Sequence, residues 1–402
     1  MELEVIALAF GGRGVARLDQ VWLVAGALPG ERVQVEEERR RRGVVEGRAV
    51  RVLHPSPWRE AEPCPQAGTT CGGCDFAHVA YRFREQAYKA SLAGALRGAP
   101  ESLRRAVEQG SFFPSPWHYR LRGRLHWDPQ QGQLGFFAPR SHRVANLKGC
   151  RVLSQELVAL LPHWAKVLGA ASFPAGEVEF LEDLAARQRL VLFRGMRPGA
   201  PPELPGVQGF WNLHGGGWGE RELFLALPEP LVVPLGSFVQ GNRFLLEPLW
   251  CTVAEVVRDG GFDRVVDLYG GVGFLAAAAW QGGARQVRVV EVSRRAAAAA
   301  QKNLPRAQVW ATQAEAAVQQ GVLEEAQLLI LDPPRGGLSP LVRRAAERAK
   351  LQAVLYLSCD PACLARDSQG LVRRGFQVVW AKLFDLFAGT HHVELAVLFQ
   401  RA

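Results

Sequence analysis

The segment Arg264–Gly273, RVVDLYGGVG, places a short apolar strand directly before a glycine-rich turn and an alanine-rich stretch typical of a helix. Three later segments repeat this order: RVVEVS before RRAAAAAQKNL, QLLILDPPRGG before LVRRAAERA, and AVLYLSCD before PACLARDSQGLVRRG. Short apolar strands that each lead into a helix are typical of a doubly wound sheet with parallel strands. The pattern is clear from about residue 245, and we predict an α/β, Rossmann-like domain over 236–402.

The N-terminal part of the chain has a different pattern. Residues 1–55 alternate short strand-like runs with glycine-rich turns, which predicts a small OB-like β-barrel. A proline-rich segment, HPSPWREAEPCP, follows and marks a domain boundary. Residues 56–235 mix helical stretches, near 79–98 and 154–168, with strand-like segments and predict a central α+β domain. The 402 residues are therefore expected to form three domains.

Composition restricts the class of protein. Hydrophobic residues make up 48% of the chain and charged residues 22%, as in a globular protein. The sequence contains no apolar run of the length that spans a membrane, and its start lacks the features of a secretory signal, so we expect a cytoplasmic protein with no membrane partner. The formal net charge of +9 favours a polyanionic partner such as RNA, although a compositional bias toward basic residues is the alternative interpretation.

Acidic residues and glycines occur where the predicted strands end, which is where such sheets bind ligands. The first strand leads into Asp267–Gly273, the second ends in Glu291, and the third ends in Asp332. A carboxylate at the end of the second strand accepts hydrogen bonds from ribose hydroxyls. The order GGVGFL departs from the GxGxxG phosphate-binding fingerprint, which favours a nucleoside cofactor without a pyrophosphate, such as S-adenosylmethionine, over NAD.

A cysteine, Cys359, follows the fourth strand and is expected at the same edge of the sheet. A thiolate is intrinsically nucleophilic, and a polar, electropositive site would lower the pKa of the thiol. The sequence therefore predicts a nucleophilic cysteine beside a cofactor pocket.

Four motifs in this order, DLYGGVG, DPPRGG, SCDPACLARD and THHVE, resemble those of the RNA uracil-5-methyltransferase family. The resemblance covers nearly the whole chain. GGRGVA with VAGALPGERV is similar to the TRAM barrel of that family, an RNA-binding module. CGGCDFAHVAYRFREQAYK, SPWHYRLRGRL and SHRVANLKGC match its central region, and SFVQGN is similar to the segment that opens its catalytic domain.

The resemblance implies methylation of carbon 5 of a uridine in structured RNA, with 23S rRNA favoured and tRNA as the alternative. It implies that Cys359 is the nucleophile and that Glu394, in THHVE, is the base. The cofactor contacts that it implies for S-adenosylmethionine are Gln240, Tyr269, Glu291 and Asp332. Asp332 is also expected near the target base, and the protein is expected to be a monomer.

This chain departs from the family pattern at several positions. Gly270 stands where the family usually has cysteine, and Cys363 stands where it commonly has threonine. We interpret Cys363 as a packing residue. Ala388 and Gly389 replace a Pro-His-like pair in the segment before Glu394, which makes the base assignment less direct than that of the nucleophile.

Four cysteines form a second predicted site: Cys64, Cys71, Cys74 and Cys150. Close spacing with one distant member suits a 4Fe–4S cluster or a four-cysteine zinc site, and spacing alone favours zinc. The resemblance of CPQAGTTCGGC to the family motif CPxxGxCGGC implies a 4Fe–4S cluster instead, although here six residues separate the first two cysteines where the family usually has five. Reduced cysteines without metal are the remaining alternative. The cluster is expected to lie away from the catalytic crevice.

Two further functions stay open from the sequence. An RNA cytosine-5-methyltransferase uses the same thiolate addition with a differently placed pair of cysteines. A non-catalytic RNA-binding protein would use only the barrel and the basic surface, but the presence of both Cys359 and Glu394 argues against it.

Overall fold

The computed structural model describes residues 1–60, 64–196 and 200–401. At the N-terminus, five strands close into a barrel in the order β1-β2-β3-β5-β4. The strands are β1 Glu2–Ala9, β2 Arg13–Arg17, β3 Val21–Ala25, β4 Arg32–Arg41 and β5 Val44–His54. Alternate side chains point inward, so that Leu3, Trp22 and Val45 share one apolar core. The predicted β-barrel is confirmed.

The middle of the chain contains three helices and nine strands among its described residues. They are α1 Arg84–Ala95, α2 Glu101–Gln109, β6 Ser111–Phe113, β7 Arg122–Asp128, β8 Gln133–Gly135, α3 Gln155–Ala170, β9 Gly176–Glu182, β10 Arg189–Gly195, β11 Gly209–Asn212, β12 Gly217–Gly219, β13 Glu222–Leu225 and β14 Leu231–Pro234. Six of the strands form a sheet in the order β12-β11-β10-β9-β7-β8. The apolar face of α3, including Leu157 and Trp164, belongs to the core of this sheet.

The last part of the chain alternates strands and helices. Its elements are α4 Leu246–Gly260, β15 Arg264–Leu268, α5 Phe274–Gln281, β16 Gln286–Val290, α6 Arg294–Asn303, β17 Gln308–Trp310, α7 Ala314–Gln319, β18 Leu328–Leu331, α8 Pro340–Arg348, β19 Ala353–Ser358, α9 Pro361–Arg373, β20 Phe376–Phe384 and β21 Glu394–Arg401. The sheet has the order β17-β16-β15-β18-β19-β21-β20-β6. Strands β15 to β19 are parallel, which confirms the doubly wound α/β fold.

The reversed direction of β21 decides where its first residue lies. β21 runs antiparallel to β19, and Ser358 at the end of β19 pairs with Leu395. The N-terminal end of β21 therefore lies at the same edge of the sheet as the carboxyl ends of the parallel strands. This topology brings Glu394 beside Cys359, although 34 residues separate them in the sequence.

Part of the predicted central region packs on the C-terminal sheet. Strand β6 pairs in parallel with β20, and helices α1 and α2 bury Tyr88 and Leu103 against the same core as Tyr356 of β19. The division into 1–55, 56–235 and 236–402 stays a prediction, and β6 with the two helices belongs structurally to the third of these regions. Among the described residues, no helix is both long and apolar enough to cross a membrane.

Candidate active site

The glycine turn after β15 is fixed by the carboxylate of Glu291. The backbone N–H of Gly271 donates a hydrogen bond of 3.0 Å to one oxygen of Glu291, and that of Ser293 donates one of 2.6 Å to the other. Tyr269, between the strand and the glycines, has a φ of 67°, a conformation that a non-glycine residue rarely adopts. Two of the predicted cofactor contacts, Tyr269 and Glu291, thus border the same turn at the sheet edge.

Asp267 stabilises this turn from inside the protein. Its side chain is fully buried, and one oxygen accepts a hydrogen bond of 3.1 Å from the backbone N–H of Ala276 in α5. Burial raises the pKa of Asp267 well above its usual value, and the nearby charge of Asp332 adds to the effect. Asp267 is enclosed by protein and acts as a brace for the turn.

Gln240 and Asp332 come together from distant parts of the chain. Gln240 lies before α4 and Asp332 follows β18, and the amide of Gln240 donates a hydrogen bond of 2.9 Å to the carboxylate of Asp332. Burial raises the pKa of Asp332 to about 6, although the hydrogen bond from Gln240 opposes this shift. Both residues belong to the set predicted from the resemblance.

Cys359 and Glu394 form the centre of the candidate site. Burial raises the pKa of Cys359 to about 12, with a further contribution from the charge of Glu394, whereas the charge of Arg335 lowers it. The expectation of a lowered thiol pKa is therefore wrong for the protein without ligands, because burial and a neighbouring carboxylate outweigh the single arginine. Cys359 is therefore a thiol at neutral pH in the protein without ligands.

Glu394 has the properties of a proton acceptor within a closed site. Its side chain is 2% exposed, and burial followed by the charge of Asp332 raises its pKa well above the usual value for a carboxyl. A carboxylate in such surroundings is a stronger base than one in water, once it has lost its proton. Asp332, Cys359 and Glu394 thus influence each other's ionisation.

Arg335 was missed by the sequence reasoning. It lies in the DPPRGG motif, close to Asp332 in the chain, and its guanidinium comes within 3.4 Å of Nε2 of His392. Burial lowers the pKa of His392 to about 4, and the charges of His391 and Arg335 contribute, so this ring is neutral at physiological pH. The motif offered the signal, because an arginine beside a carboxylate predicted to contact the cofactor is a candidate for contacting an anion.

Cys363 lies in the first turn of α9. Its backbone N–H donates to the capping carboxylate of Asp360 at 2.8 Å, and its sulfur lies 3.3 Å from the carbonyl oxygen of Arg335. These contacts are consistent with a role for Cys363 in holding the DPPRGG loop to the helix.

The structure gathers the four predicted ligand cysteines around one cavity, with Trp117 and Phe136 in its lining. The cysteines are Cys64, Cys71, Cys74 and Cys150. Burial raises the pKa of Cys74 to about 12, and the charges of the other three cysteines add to this shift. In the described ranges, however, no group of three or more Cys, His, Asp or Glu side chains is arranged as metal ligands. The cysteines are brought together, but the presence of a metal is not shown.

The segment that carries Cys74 packs against the loop that leads into Glu394, a contact that the sequence did not predict. A Cβ atom at Gly389 would lie 3.4 Å from the sulfur of Cys74. Gly389 lies five residues before Glu394, so the cysteine segment touches the loop that precedes the proposed base.

Comparisons with known proteins agree with this arrangement. Residues 322–402 match the family described as tRNA (Uracil-5-)-methyltransferase. The chain is 33% identical to "23S rRNA (uracil(1939)-C(5))-methyltransferase RlmD" of Pseudomonas putida, over 99% of this chain and 93% of that protein. The protein of the same name from Halomonas elongata is also 33% identical, over 99% and 89%. The crystal structure of Pyrococcus abyssi tRNA (uracil-54, C5)-methyltransferase with S-adenosyl-L-homocysteine has a TM-score of 0.77 at 19% identity, covering 99% of this chain and all of that one, and shows the same fold.

The doubly wound sheet, together with the relatives that match over nearly the whole chain, identifies a class I, S-adenosylmethionine-dependent methyltransferase. Within that class, the chain belongs to the RNA uracil-5-methyltransferase family, as the identity over nearly its full length shows.

Proposed function

We propose that this protein transfers a methyl group from S-adenosylmethionine to carbon 5 of a uridine in 23S rRNA. The observation that carries the proposal is the meeting of Cys359, Glu394 and Asp332 at one edge of the sheet, each on a different strand end. The names of the relatives that match over nearly the whole chain support 23S rRNA as the substrate.

The chemistry requires a nucleophile and a base on the same uracil ring. When bound, S-adenosylmethionine supplies an electrophilic methyl group. Cys359 loses its proton to water, the thiolate adds to carbon 6 of uracil, and the 5,6 electron pair moves toward the oxygen on carbon 4. Carbon 5 then attacks the methyl group, whose bond to the cofactor sulfur breaks with its electron pair left on that sulfur, so that S-adenosylhomocysteine is released. Glu394 removes the proton from carbon 5, the double bond reforms, and the bond between carbon 6 and sulfur breaks with its electron pair returning to Cys359.

The remaining residues of the site have supporting roles in this proposal. Glu291 accepts hydrogen bonds from the ribose hydroxyls of the cofactor, and Tyr269 and Gln240 contact other parts of it. In this proposal Asp332 is close to both the cofactor and the target uracil, and its raised pKa would allow it to carry a proton toward a uracil heteroatom. The uridine has to leave its stack to reach the thiol of Cys359, because carbon 6 is inaccessible within a helix.

We also propose that Cys64, Cys71, Cys74 and Cys150 hold a 4Fe–4S cluster, with zinc as the alternative. Burial and mutual repulsion disfavour the thiolate form of Cys74 in this cavity, and a bound metal centre would stabilise thiolates there. Protein purified without oxygen should contain iron and inorganic sulfide and be brown. Zinc in equal amount to protein, with no visible absorbance, would support the zinc alternative.

Methylation of defined RNAs tests the proposed substrate. The protein, with labelled S-adenosylmethionine, should form 5-methyluridine in transcribed 23S rRNA and not in tRNA, and Cys359→Ala should abolish it. Methylation of tRNA alone would favour a tRNA uracil-5-methyltransferase, the activity named for the structurally similar Pyrococcus abyssi protein. Formation of 5-methylcytidine would indicate the cytosine enzyme, and RNA binding without methylation would indicate a non-catalytic protein. A monomeric state and a cytoplasmic location stay predictions from the sequence.

A further inference from the structure

The segment that carries Cys74 also holds the loop that leads into Glu394. The backbone N–H of Phe76 donates a hydrogen bond of 2.8 Å to the carbonyl oxygen of Gly389. The carboxylate of Asp75 accepts a hydrogen bond of 2.8 Å from the backbone N–H of His391, and its second oxygen lies within hydrogen-bonding distance of Nδ1 of the same residue. Three contacts therefore join residues 75–76 to the loop 387–393.

The close approach of the two segments depends on the glycine at position 389. Gly389 has a φ of 84°, and a Cβ atom there would lie 2.9 Å from the ring of Trp117 and 3.4 Å from the sulfur of Cys74. The departure of Ala388 and Gly389 from the family pattern thus has a structural reason in this chain. Small residues let the loop pack directly on the cysteine segment.

The same loop is held from other sides. The hydroxyl of Tyr119 donates to the carbonyl oxygen of Ala388 at 3.1 Å, and that of Tyr88 donates to the carbonyl oxygen of Thr390 at 2.9 Å. From the barrel, the ring of Phe10 packs edge-on against His391 with centroids 5.4 Å apart. The loop is thereby fixed by backbone and side-chain contacts, and Asp75 provides the charged one.

We propose that Asp75 is a positioning residue, which places the carboxylate of Glu394 against the proton on carbon 5 by anchoring the loop 387–393 through His391. The inference rests on the proposed function. His391 lies close before Glu394 in the chain, whereas Cys359 sits between β19 and α9, far along the chain from this loop. Loss of the anchor should therefore impair proton removal and leave thiolate addition and methyl transfer nearly intact.

The test measures, for the variant Asp75→Ala, how much RNA is held in the covalent protein–RNA adduct and how much is released as methylated product. With 23S rRNA and S-adenosylmethionine, this variant should accumulate a methylated, covalent protein–RNA adduct, and product release should slow roughly tenfold to hundredfold, the effect of misplacing a catalytic group by about 1 Å. His391→Ala removes the same pair from the loop side and should give the same adduct. Asp259→Ala, an exposed aspartate at the end of α4, is the matched control and should behave as the wild type.

The outcomes separate this inference from the proposed function. If Glu394→Gln traps an adduct but neither Asp75→Ala nor His391→Ala does, the positioning role is wrong and the base assignment stands. If folded Asp75→Ala, judged by its thermal melt, slows adduct formation as much as product release, the residue acts on the whole site and the inference is overturned. If Glu394→Gln gives no adduct, the proposed mechanism fails and the inference fails with it.

Discussion

The amide of Gln240 donates a hydrogen bond of 2.9 Å to the carboxylate of Asp332, and so joins the loop before α4 to the end of β18. This bond opposes the effect of burial on the pKa of Asp332, which is raised to about 6. It links a residue proposed to contact the cofactor with one proposed to face the target base.

Gln240→Ala should raise the pKa of Asp332 further and weaken binding of S-adenosylmethionine. A hydrogen bond to a charged group contributes about 1.5–3 kcal/mol, so a loss of affinity of at least about tenfold is expected by calorimetry. Gln369→Ala is the control. Gln369 is an exposed residue of α9 that also donates one side-chain hydrogen bond, to the carbonyl oxygen of Gly98, and it is not among the candidate site residues. Equal affinities for wild type and Gln240→Ala would remove Gln240 from the cofactor site.

Alkylation of Cys359 by iodoacetamide should be slow at neutral pH and should accelerate as the pH rises. The reactive species is the thiolate, and a pKa of about 12 leaves very little of it at pH 7. Glu394→Gln removes a negative charge that raises this pKa, so the variant should be alkylated faster at the same alkaline pH. Rapid alkylation with a plateau near pH 7, absent in Cys359→Ala, would contradict the raised pKa.

Arg335→Gln should slow formation of the covalent adduct and shift the rise of activity to higher pH. The charge of Arg335 lowers the pKa of Cys359, so its removal should reduce the fraction of thiolate at a given pH, by roughly tenfold for each pKa unit. Arg348→Gln, at the end of α8, serves as the control. An unchanged pH profile of the single-turnover rate would show that Arg335 does not act on the thiol.

Arg39→Gln combined with Arg42→Gln should weaken RNA binding without affecting binding of S-adenosylmethionine. Both arginines are exposed at the hairpin end of the barrel, where β4 meets β5. Each arginine–phosphate ion pair that is lost should reduce the magnitude of the slope of log K against log salt concentration by about 0.7–0.9. Arg258→Gln, at the opposite edge of the C-terminal sheet from the candidate site, should leave the slope unchanged. A wild-type slope in the double variant would place the RNA elsewhere.

The fold was predictable because its strands and helices follow simple periodic patterns. The four strand–helix repeats after residue 245 predicted the parallel sheet, and the ends of its strands predicted the positions of Glu291, Asp332 and Cys359. Pattern alone did not give the reversed direction of β21, so Glu394 was assigned through the family resemblance. Strand pairing between distant segments, such as β6 with β20, also leaves no local signal.

One expectation about the site was wrong and one contact was missed, both for physical reasons. The pKa of a thiol depends on burial and on every nearby charge, and the sequence reveals residue types but not how deeply Cys359 is enclosed. The close approach of Cys74 and Gly389 joins residues more than three hundred positions apart and depends on packing that composition does not encode. The contact between the cysteine segment and the loop before Glu394 was therefore not predicted.

The central claim is that Cys359 attacks the uracil and Glu394 ends the reaction by removing the proton from carbon 5. Glu394→Gln, incubated with 23S rRNA and S-adenosylmethionine, should accumulate a methylated protein–RNA adduct that survives denaturing gel electrophoresis. Replacing Cys359 by alanine in the same variant should abolish this adduct, whereas replacing Cys363 by alanine should not. An adduct of equal yield without Cys359 would contradict the account, place the nucleophile elsewhere and make Cys363 the next residue to test.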